Sequence, residues 1–326
     1  MNPLVTVILP VFNSESFLRT AIDSILNQTF IDFEFLIIND GSTDTSRDII
    51  LSYTDKRIRF LENDINIGLI KTLNKGIREA KGKYIARMDS DDISRHDRFE
   101  KQVEFLDANP EYGIVGSWCT IIGSEKTIEY HSTHDSLEFA LLHYCCFVHP
   151  SVMIRKLVLI DNQLFYNEDY LHSEDYELWT RLLTKTKGYN IKEYLLAYRE
   201  HQGQVSFKYR QDQIDMINDI VKNYLSKKDP LINQSFCILF DGKKNIDTPT
   251  YLINLNDFYV YCIQNNIFEK NVLKQNVLSL YKKAFFEQKN LSLFDYRQIS
   301  NSELYFSLKL SYKQRMRFFL RVSAFS

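Results

Sequence analysis

The feature that most constrains this chain is an alternation, kept up over its first half and beyond, between short β-branched runs and amphipathic helical stretches. A chain patterned this way folds into a mostly parallel sheet with helices on its faces, because each crossover between parallel strands needs a connection of helix length. Val5–Leu9 reads as the first strand, Phe33–Ile38 as the second and Ile58–Leu61 as a short third. Tyr84–Met88, Ile114–Trp118 and Ile191–Tyr198 read as later strands. Between them, Ser14 stands where it can cap a helix whose apolar face is Leu18, Ile22, Ile25 and Leu26. Leu69–Ala80 reads as a helix with Gly82 near its end, and Phe99–Ala108 as a helix stopped before Pro110.

After about Tyr209 glycine nearly disappears, long helical patterns dominate and aromatic residues are frequent. The expected organisation is therefore an α/β domain over 1–210 and an α-helical region over 211–326, facing an acceptor or a membrane surface. A chain of 326 residues is long enough for two domains. Its last segment carries Lys309, Lys313, Arg315, Arg317 and Arg321 with no acidic residue. Such a segment suits peripheral contact with an anionic membrane, or a solvated helix that closes the domain.

Composition removes several classes. The 40 Lys and Arg nearly balance the 42 Asp and Glu, leaving −2, so bulk charge does not hold this chain to nucleic acid. Five cysteines without CxxC spacing fit neither a disulfide framework nor a zinc cage, and they point to a reducing compartment. No run approaches the ~18 apolar residues of a membrane span. The strand-like run from Leu4 leaves no room for a signal peptide, so a cytoplasmic location is expected, peripheral on the inner face of the membrane if the basic end binds it.

Ligands of open parallel sheets bind beyond the carboxyl ends of the strands, and three polar clusters fall there. Pro10-Val11-Phe12-Asn13 follows the first strand, Asn39-Asp40-Gly41-Ser42-Thr43-Asp44 the second, and Asp89-Ser90-Asp91-Asp92 the fourth. A plain strand-to-helix turn accounts for Gly41 (positive φ) and for Ser42 or Thr43 (helix cap), but leaves Asp40 free to accept from a base N–H. Three carboxylates within four residues repel one another unless a cation or solvent relieves them, and hard oxygen donors suit Mg²⁺ or Mn²⁺. An acidic helix start, capped by Ser90 or Asp92, is the competing explanation. Glu174-Asp175 has the same helix-start alternative, and Arg199 with His201 offers a cation beside an imidazole, which suits a diphosphate.

Taken in order, these segments resemble the family 2 glycosyltransferases, inverting enzymes of the GT-A fold that use nucleotide-diphosphate sugars. The resemblance runs from Val5 to about Ser206 and includes Asn66-Ile-Gly68, Asn74-Lys-Gly76, His149-Pro-Ser151 and Tyr198-Arg-Glu-His201. It implies that Asp40 contacts the uracil of a UDP-sugar donor, with Pro10, Val11, Phe12, Asn13, Glu15, Asn66, Gly68 and Lys71 around the nucleotide-sugar. It implies that Asp89, Ser90 and Asp91 hold the ribose and a Mn²⁺ or Mg²⁺ ion, with His201 as a further ligand and Arg199 near the phosphates. Asp175 is implied as catalytic base, and His149, Glu174 and Trp179 are expected on the acceptor side.

Within that family, Tyr84–Asp89 and Tyr198–Ser206 look most like the lipooligosaccharide β-1,3-N-acetylglucosaminyltransferases. The implied reaction moves GlcNAc to a glycan or lipid-linked saccharide, such as a terminal galactose of bacterial lipooligosaccharide or surface polysaccharide. Glucosyl, galactosyl or N-acetylgalactosaminyl transfer in capsule or O-antigen synthesis is the near alternative, and a non-catalytic carbohydrate-binding protein is the alternative from another class. A dinucleotide-dependent oxidoreductase would need glycines after the first strand, where Pro10–Glu15 stands instead.

Overall fold

The computed structural model describes residues 2–201, 209–240, 247–287, 293–311 and 314. The chain divides into two compact units, Met1–Met216 and Ile217–Ser326, and the division falls inside the helix Arg210–Lys228.

The first unit is built on one mixed sheet. Its strands are β1 (Val5–Val11), β2 (Phe33–Asn39), β3 (Ile58–Glu62), β4 (Tyr84–Arg87), β5 (Ile93–Ser94), β6 (Tyr112–Ile121), β7 (Thr127–Ile128), β8 (Met153–Arg155) and β9 (Lys187–Tyr198). Their order is β3-β2-β1-β4-β8-β6-β9-β5, with β7 paired to β6. The long ladders β1/β2, β2/β3, β1/β4 and β6/β9 are parallel, whereas the antiparallel ones are two or three residue pairs long. Every residue of β1 and β2 is buried, the mark of parallel strands covered on both faces. The helices α1 (Leu18–Leu26), α2 (Ser46–Leu51), α3 (Leu69–Glu79) and α4 (Arg98–Ala108) supply the crossovers and cover. Leu18, Ile22 and Ile25 of α1 pack into the same core as Val5, Val7 and Phe35. After β7 come α5 (His134–Ala140), α6 (Lys156–Asp161) and α7 (Glu174–Leu182).

Three local expectations change. Ser14 does not cap α1, whose N-cap is Phe17; its hydroxyl lies 2.7 Å from that of Ser90 instead. Neither Ser42 nor Thr43 caps α2, which starts after Thr45, and the Ser46 N–H goes to the Asp44 carboxylate at 2.9 Å. Gly82 does not end α3, since Ala80 already has ψ 133°. Gly82 is required because a Cβ there would meet the Thr6 backbone nitrogen at 2.5 Å.

The second unit is helical over its described residues. Asp247 caps the helix Thr248–Gln264, and Ser302 caps Glu303–Ser307. Phe258, Tyr281, Phe285 and Tyr305 are buried, and the Tyr281 and Ser302 hydroxyls meet at 2.9 Å. The basic residues Arg315, Arg317 and Arg321 lie outside the described residues, as does Lys313.

Candidate active site

The parallel register brings three loop starts to one edge. Val11 pairs with Asn39 across β1/β2, and Ile8 with Arg87 across β1/β4, so the chain leaves all three strands on the same rim. Hydrogen bonds then knot these loops together. The Asn13 backbone, at φ 48°, donates to Ser42 Oγ at 3.0 Å, and its side-chain oxygen accepts from the Thr43 N–H at 2.8 Å. The Ser14 N–H donates to Ser46 Oγ at 2.8 Å, while its hydroxyl reaches Ser90. Glu15 accepts from the Thr45 backbone and hydroxyl at 3.0 and 2.7 Å. Glu15 therefore braces the loop.

Asp40 is buried at the end of β2 and is already engaged. Its Oδ1 accepts from Asn63 Nδ2 and the Ile67 N–H, and its Oδ2 from the Gly68 N–H, at 2.8, 3.0 and 3.0 Å. It clamps the Asn66–Gly68 turn, in which Asn66 Oδ1 also accepts from Gly68 N–H at 2.9 Å. Gly41, beside it, has φ 68°, and a Cβ there would strike the Ile65 backbone at 2.5 Å. Phe12 is 45% exposed on the rim, whereas the Val11 side chain is in the core and Pro10 is buried. Val11 is thus corrected to a packing residue that meets the loop only through its carbonyl, which accepts from Asp40 N–H at 2.7 Å. Lys71 is half-exposed and 3.5 Å from Glu168.

The acidic loop after β4 runs directly into β5, not into a helix, so capping does not explain its carboxylates. Ile93 of β5 pairs with Ala197 of β9, and this antiparallel ladder brings residues a hundred positions away onto the loop. The Arg199 N–H donates to Asp92 Oδ1 at 2.8 Å, and the Arg199 guanidinium to the Asp91 carbonyl at 2.7 Å. His201 Nε2 stands 3.0 Å from Asp91 Oδ2. Phe17 holds this arm, with the Arg199 guanidinium carbon 4.3 Å from its ring centre and the His201 ring at 5.5 Å.

Carboxylate oxygens of Asp89, Asp91 and Asp92 all lie within 4.8 Å of one another. Burial first, then the charges of Asp89 and Asp91, push Asp92 up to about 9, and its Oδ2 has no hydrogen-bond partner. Burial, reinforced by Asp91, also raises Asp89 against the opposing pull of Arg87, with which it forms an ion pair. Crowded, dehydrated carboxylates with an unpartnered oxygen are the donor set a hard divalent cation requires. Asp91, Asp89 and His201 fit that role, and Asp92 joins them.

Beneath this loop lies Arg87, which bears a buried guanidinium. Its charge acts on Asp89 and Asp92 and also on Glu174 and Asp175. Asp89 in turn feels the Asp175 carboxylate, so the base candidate shares the neighbourhood of the acidic loop. At the start of α7 the two acids differ. Glu174 is 6% exposed, its Oε2 is unpartnered, and burial pushes it up to about 7. Asp175 is partly exposed, also raised chiefly by burial, and accepts from the Tyr176 N–H at 2.7 Å.

Two acceptor-side expectations are corrected. Trp179 is fully buried, edge-on to His149 at 5.9 Å, and Glu174 is buried, so neither offers a surface to an acceptor. His149 remains partly exposed, with Nε2 2.7 Å from the Tyr166 hydroxyl, and burial holds its ring neutral. Ser151 is buried and donates to the Val148 carbonyl at 2.7 Å, a structural role.

The glycosyl transferase family 2 model matches residues 6–174, just over half of the chain and all three loops that leave β1, β2 and β4. The chain belongs to glycosyl transferase family 2. An uncharacterized glycosyltransferase of Haemophilus influenzae is 32% identical over 316 residues, covering 91% of this chain and 94% of that protein. WfgD of Escherichia coli, a UDP-Glc:alpha-D-GlcNAc-diphosphoundecaprenol beta-1,3-glucosyltransferase, is 28% identical over 235 residues, covering 71% of this chain and 91% of its own. Among solved structures, S. aureus TarS 1-349 in complex with UDP-GlcNAc superposes with TM-score 0.61 at 16% identity, over 95% of this chain and 92% of that one. The expected GT-A-like α/β architecture with a helical C-terminal region therefore holds for this family 2 glycosyltransferase. Among the described residues, no helix is long and apolar enough to cross a membrane.

Sequence reasoning passed over two residues that the structure brings beside this family 2 chain's candidate site, Arg87 and Tyr166. A lone arginine inside the apolar run Tyr84–Met88 was the available signal for Arg87. Tyr166 carried none, because it reaches His149 from a separate segment of the chain.

Proposed function

We propose that this protein is an inverting, metal-dependent glycosyltransferase that moves a sugar, GlcNAc in the first instance, from a UDP-sugar to a hydroxyl of a glycan or lipid-linked saccharide. One observation carries the reading: Asp89, Asp91 and Asp92 cluster within 4.8 Å, His201 closes on Asp91, and Asp175 is near enough for its charge to act on Asp89. A bound Mn²⁺ or Mg²⁺ ion would supply Lewis-acid stabilisation of the departing diphosphate. Asp91, Asp89 and His201 would hold it, with Asp92 completing the set.

The chain's own residues do the rest. Phe12 presents an exposed ring at the mouth of the first loop for a base to pack on, and Asn13 and Ser14 lock that loop to the Asp40–Asp44 and Ser90 segments. Asp40 keeps the Asn66–Gly68 turn closed beside the base, with the uracil contact reserved to its remaining lone pair. Arg199, anchored on the acidic loop, carries positive charge to the phosphate side. Asp175 takes the proton of the acceptor hydroxyl as its oxygen bonds to the anomeric carbon, and the C–O bond to the diphosphate breaks with its electron pair on the leaving group. Burial raises Asp175, which strengthens it as a base.

Glucosyl transfer to a diphosphoundecaprenol-linked sugar is the second reading, favoured by the likeness to WfgD. Both are tested by incubating the chain with UDP-GlcNAc, UDP-glucose, UDP-galactose and UDP-GalNAc, Mn²⁺, and galactoside or lipid-linked GlcNAc acceptors, with product masses recorded. A HexNAc increment on the galactoside supports the first reading and a hexose increment on the lipid-linked acceptor the second. Asp175→Asn is expected to lower kcat by about 10²–10⁴-fold while UDP binding persists. Wild-type turnover in that variant refutes the base assignment.

A further inference from the structure

Asp175 has two carboxylate oxygens, and only one is held by backbone. Oδ1 accepts from the Tyr176 N–H at 2.7 Å, while Oδ2 lies 3.3 Å from the sulfur of Cys145, thirty residues earlier in the chain. The thiol has one competing acceptor, the Phe147 carbonyl at 3.4 Å, and a charged oxygen attracts a donor more strongly than a neutral one. Cys145 is set firmly. Its neighbour Cys146 is fully buried, and the Cys146 carbonyl accepts from Asn190 Nδ2 at 3.0 Å, which ties the segment to β9.

We propose that Cys145 is a positioning residue of this transferase, donating its thiol hydrogen to Asp175 Oδ2 so that the carboxylate is aimed and kept ionised until an acceptor hydroxyl arrives. The inference rests on the reading of Asp175 as the base and deepens it. Burial and the negative charge of Asp175 push the thiol well above its ordinary range, so it stays protonated and remains a donor. The other groups facing Asp175 are Arg87, Asp89, Tyr130, Cys146, Tyr166 and the adjoining Glu174. Tyr130, Tyr166 and Cys146 are all raised by burial and stay neutral, so they add no competing titration. The Arg87 guanidinium favours the ionised base, and the Asp89 and Glu174 carboxylates oppose it.

The sign follows directly. Removing a donor that favours the ionised carboxylate raises the pH at which Asp175 loses its proton, so the acid limb of kcat moves upward. The experiment records kcat against pH for wild type, Cys145→Ala, Cys145→Ser and Asp175→Asn, with Mn²⁺ and whichever of the four UDP-sugars releases UDP fastest. Cys145→Ala is expected to move the acid limb up by about half to one pH unit and to cut kcat on that limb about 3–10-fold, with donor KM within about twofold of wild type. Cys145→Ser, which keeps a donor of similar size, is expected to return the limb to its wild-type position. An unshifted limb in Cys145→Ala overturns the inference, as does a loss of kcat that serine fails to rescue. Asp175→Asn separates the two readings: if it is inactive and Cys145→Ala behaves as wild type, only the thiol assignment falls, whereas an active Asp175→Asn removes both.

Discussion

The two sides of the site are built from opposite materials. The acidic loop is short and charged, with Ser14, Arg199 and His201 tied to it by hydrogen bonds from distant parts of the chain. The side that carries Asp175 is mostly apolar and aromatic: its carboxylate interacts with Tyr130, Tyr166 and two cysteines. The difference matches what each side is proposed to handle. A diphosphate and its cation need hard oxygens in fixed positions, which charge and hydrogen bonds supply. A base needs to be drawn out of water, which only packing supplies, and the charge of Arg87 acts on the carboxylates of both sides and limits their repulsion.

The largest effect that would break this contrast comes from the charged side. Asp91→Ala is expected to lower kcat/KM by about 10²–10³-fold and to weaken Mn²⁺ binding measured directly in the protein with UDP; unchanged Mn²⁺ titration would detach the loop from the diphosphate. His201→Ala removes a proposed ligand attached to Asp91 by one hydrogen bond, so a smaller loss of about 10–100-fold in metal affinity is expected, and Mn²⁺ spin-resonance titration reads it.

The apolar side is better sharpened through stability. His143 is partly buried beside Phe139, and desolvation, aided by the His131 charge, pushes it down to about 4 from an ordinary 6.5. Because the unfolded chain takes up this proton first, the histidine contributes stability above pH 6.5 that is lost as the pH falls towards 4. The loss is expected to be about 1–3 kcal/mol, and His143→Leu should flatten that part of the denaturation profile. The smallest effect belongs to the knot between loops. Ser14→Ala is expected to cost about 1 kcal/mol in urea melts and to raise donor KM a few-fold while kcat holds, since it frees Ser90 without touching a carboxylate.

Local pattern accounts for most of the α/β unit. The buried strands β1 and β2 and the amphipathic α1 and α3 were legible because their periodicities are strong and their neighbours close in sequence. Their ends were not. Ser14, Ser42 and Thr43 all have the chemistry of helix caps, yet each is drawn away by a loop partner that appears only when three strands align. Glu174 and Trp179 were misread for a related reason: a helix start shows which residues are acidic or aromatic, not which face meets the core.

What the sequence determined by itself was the inventory and its order: parallel strands, polar loops at their ends, and carboxylates whose crowding demands relief. These follow from backbone geometry and from Coulomb repulsion between near neighbours in the chain. The tertiary structure alone decided which of those groups are partnered. The β5/β9 ladder carries Arg199 and His201 to the acidic loop, and packing against α7 sets Cys145 against Asp175. Such pairings depend on burial and on contacts across a hundred residues, quantities that no local window of sequence contains.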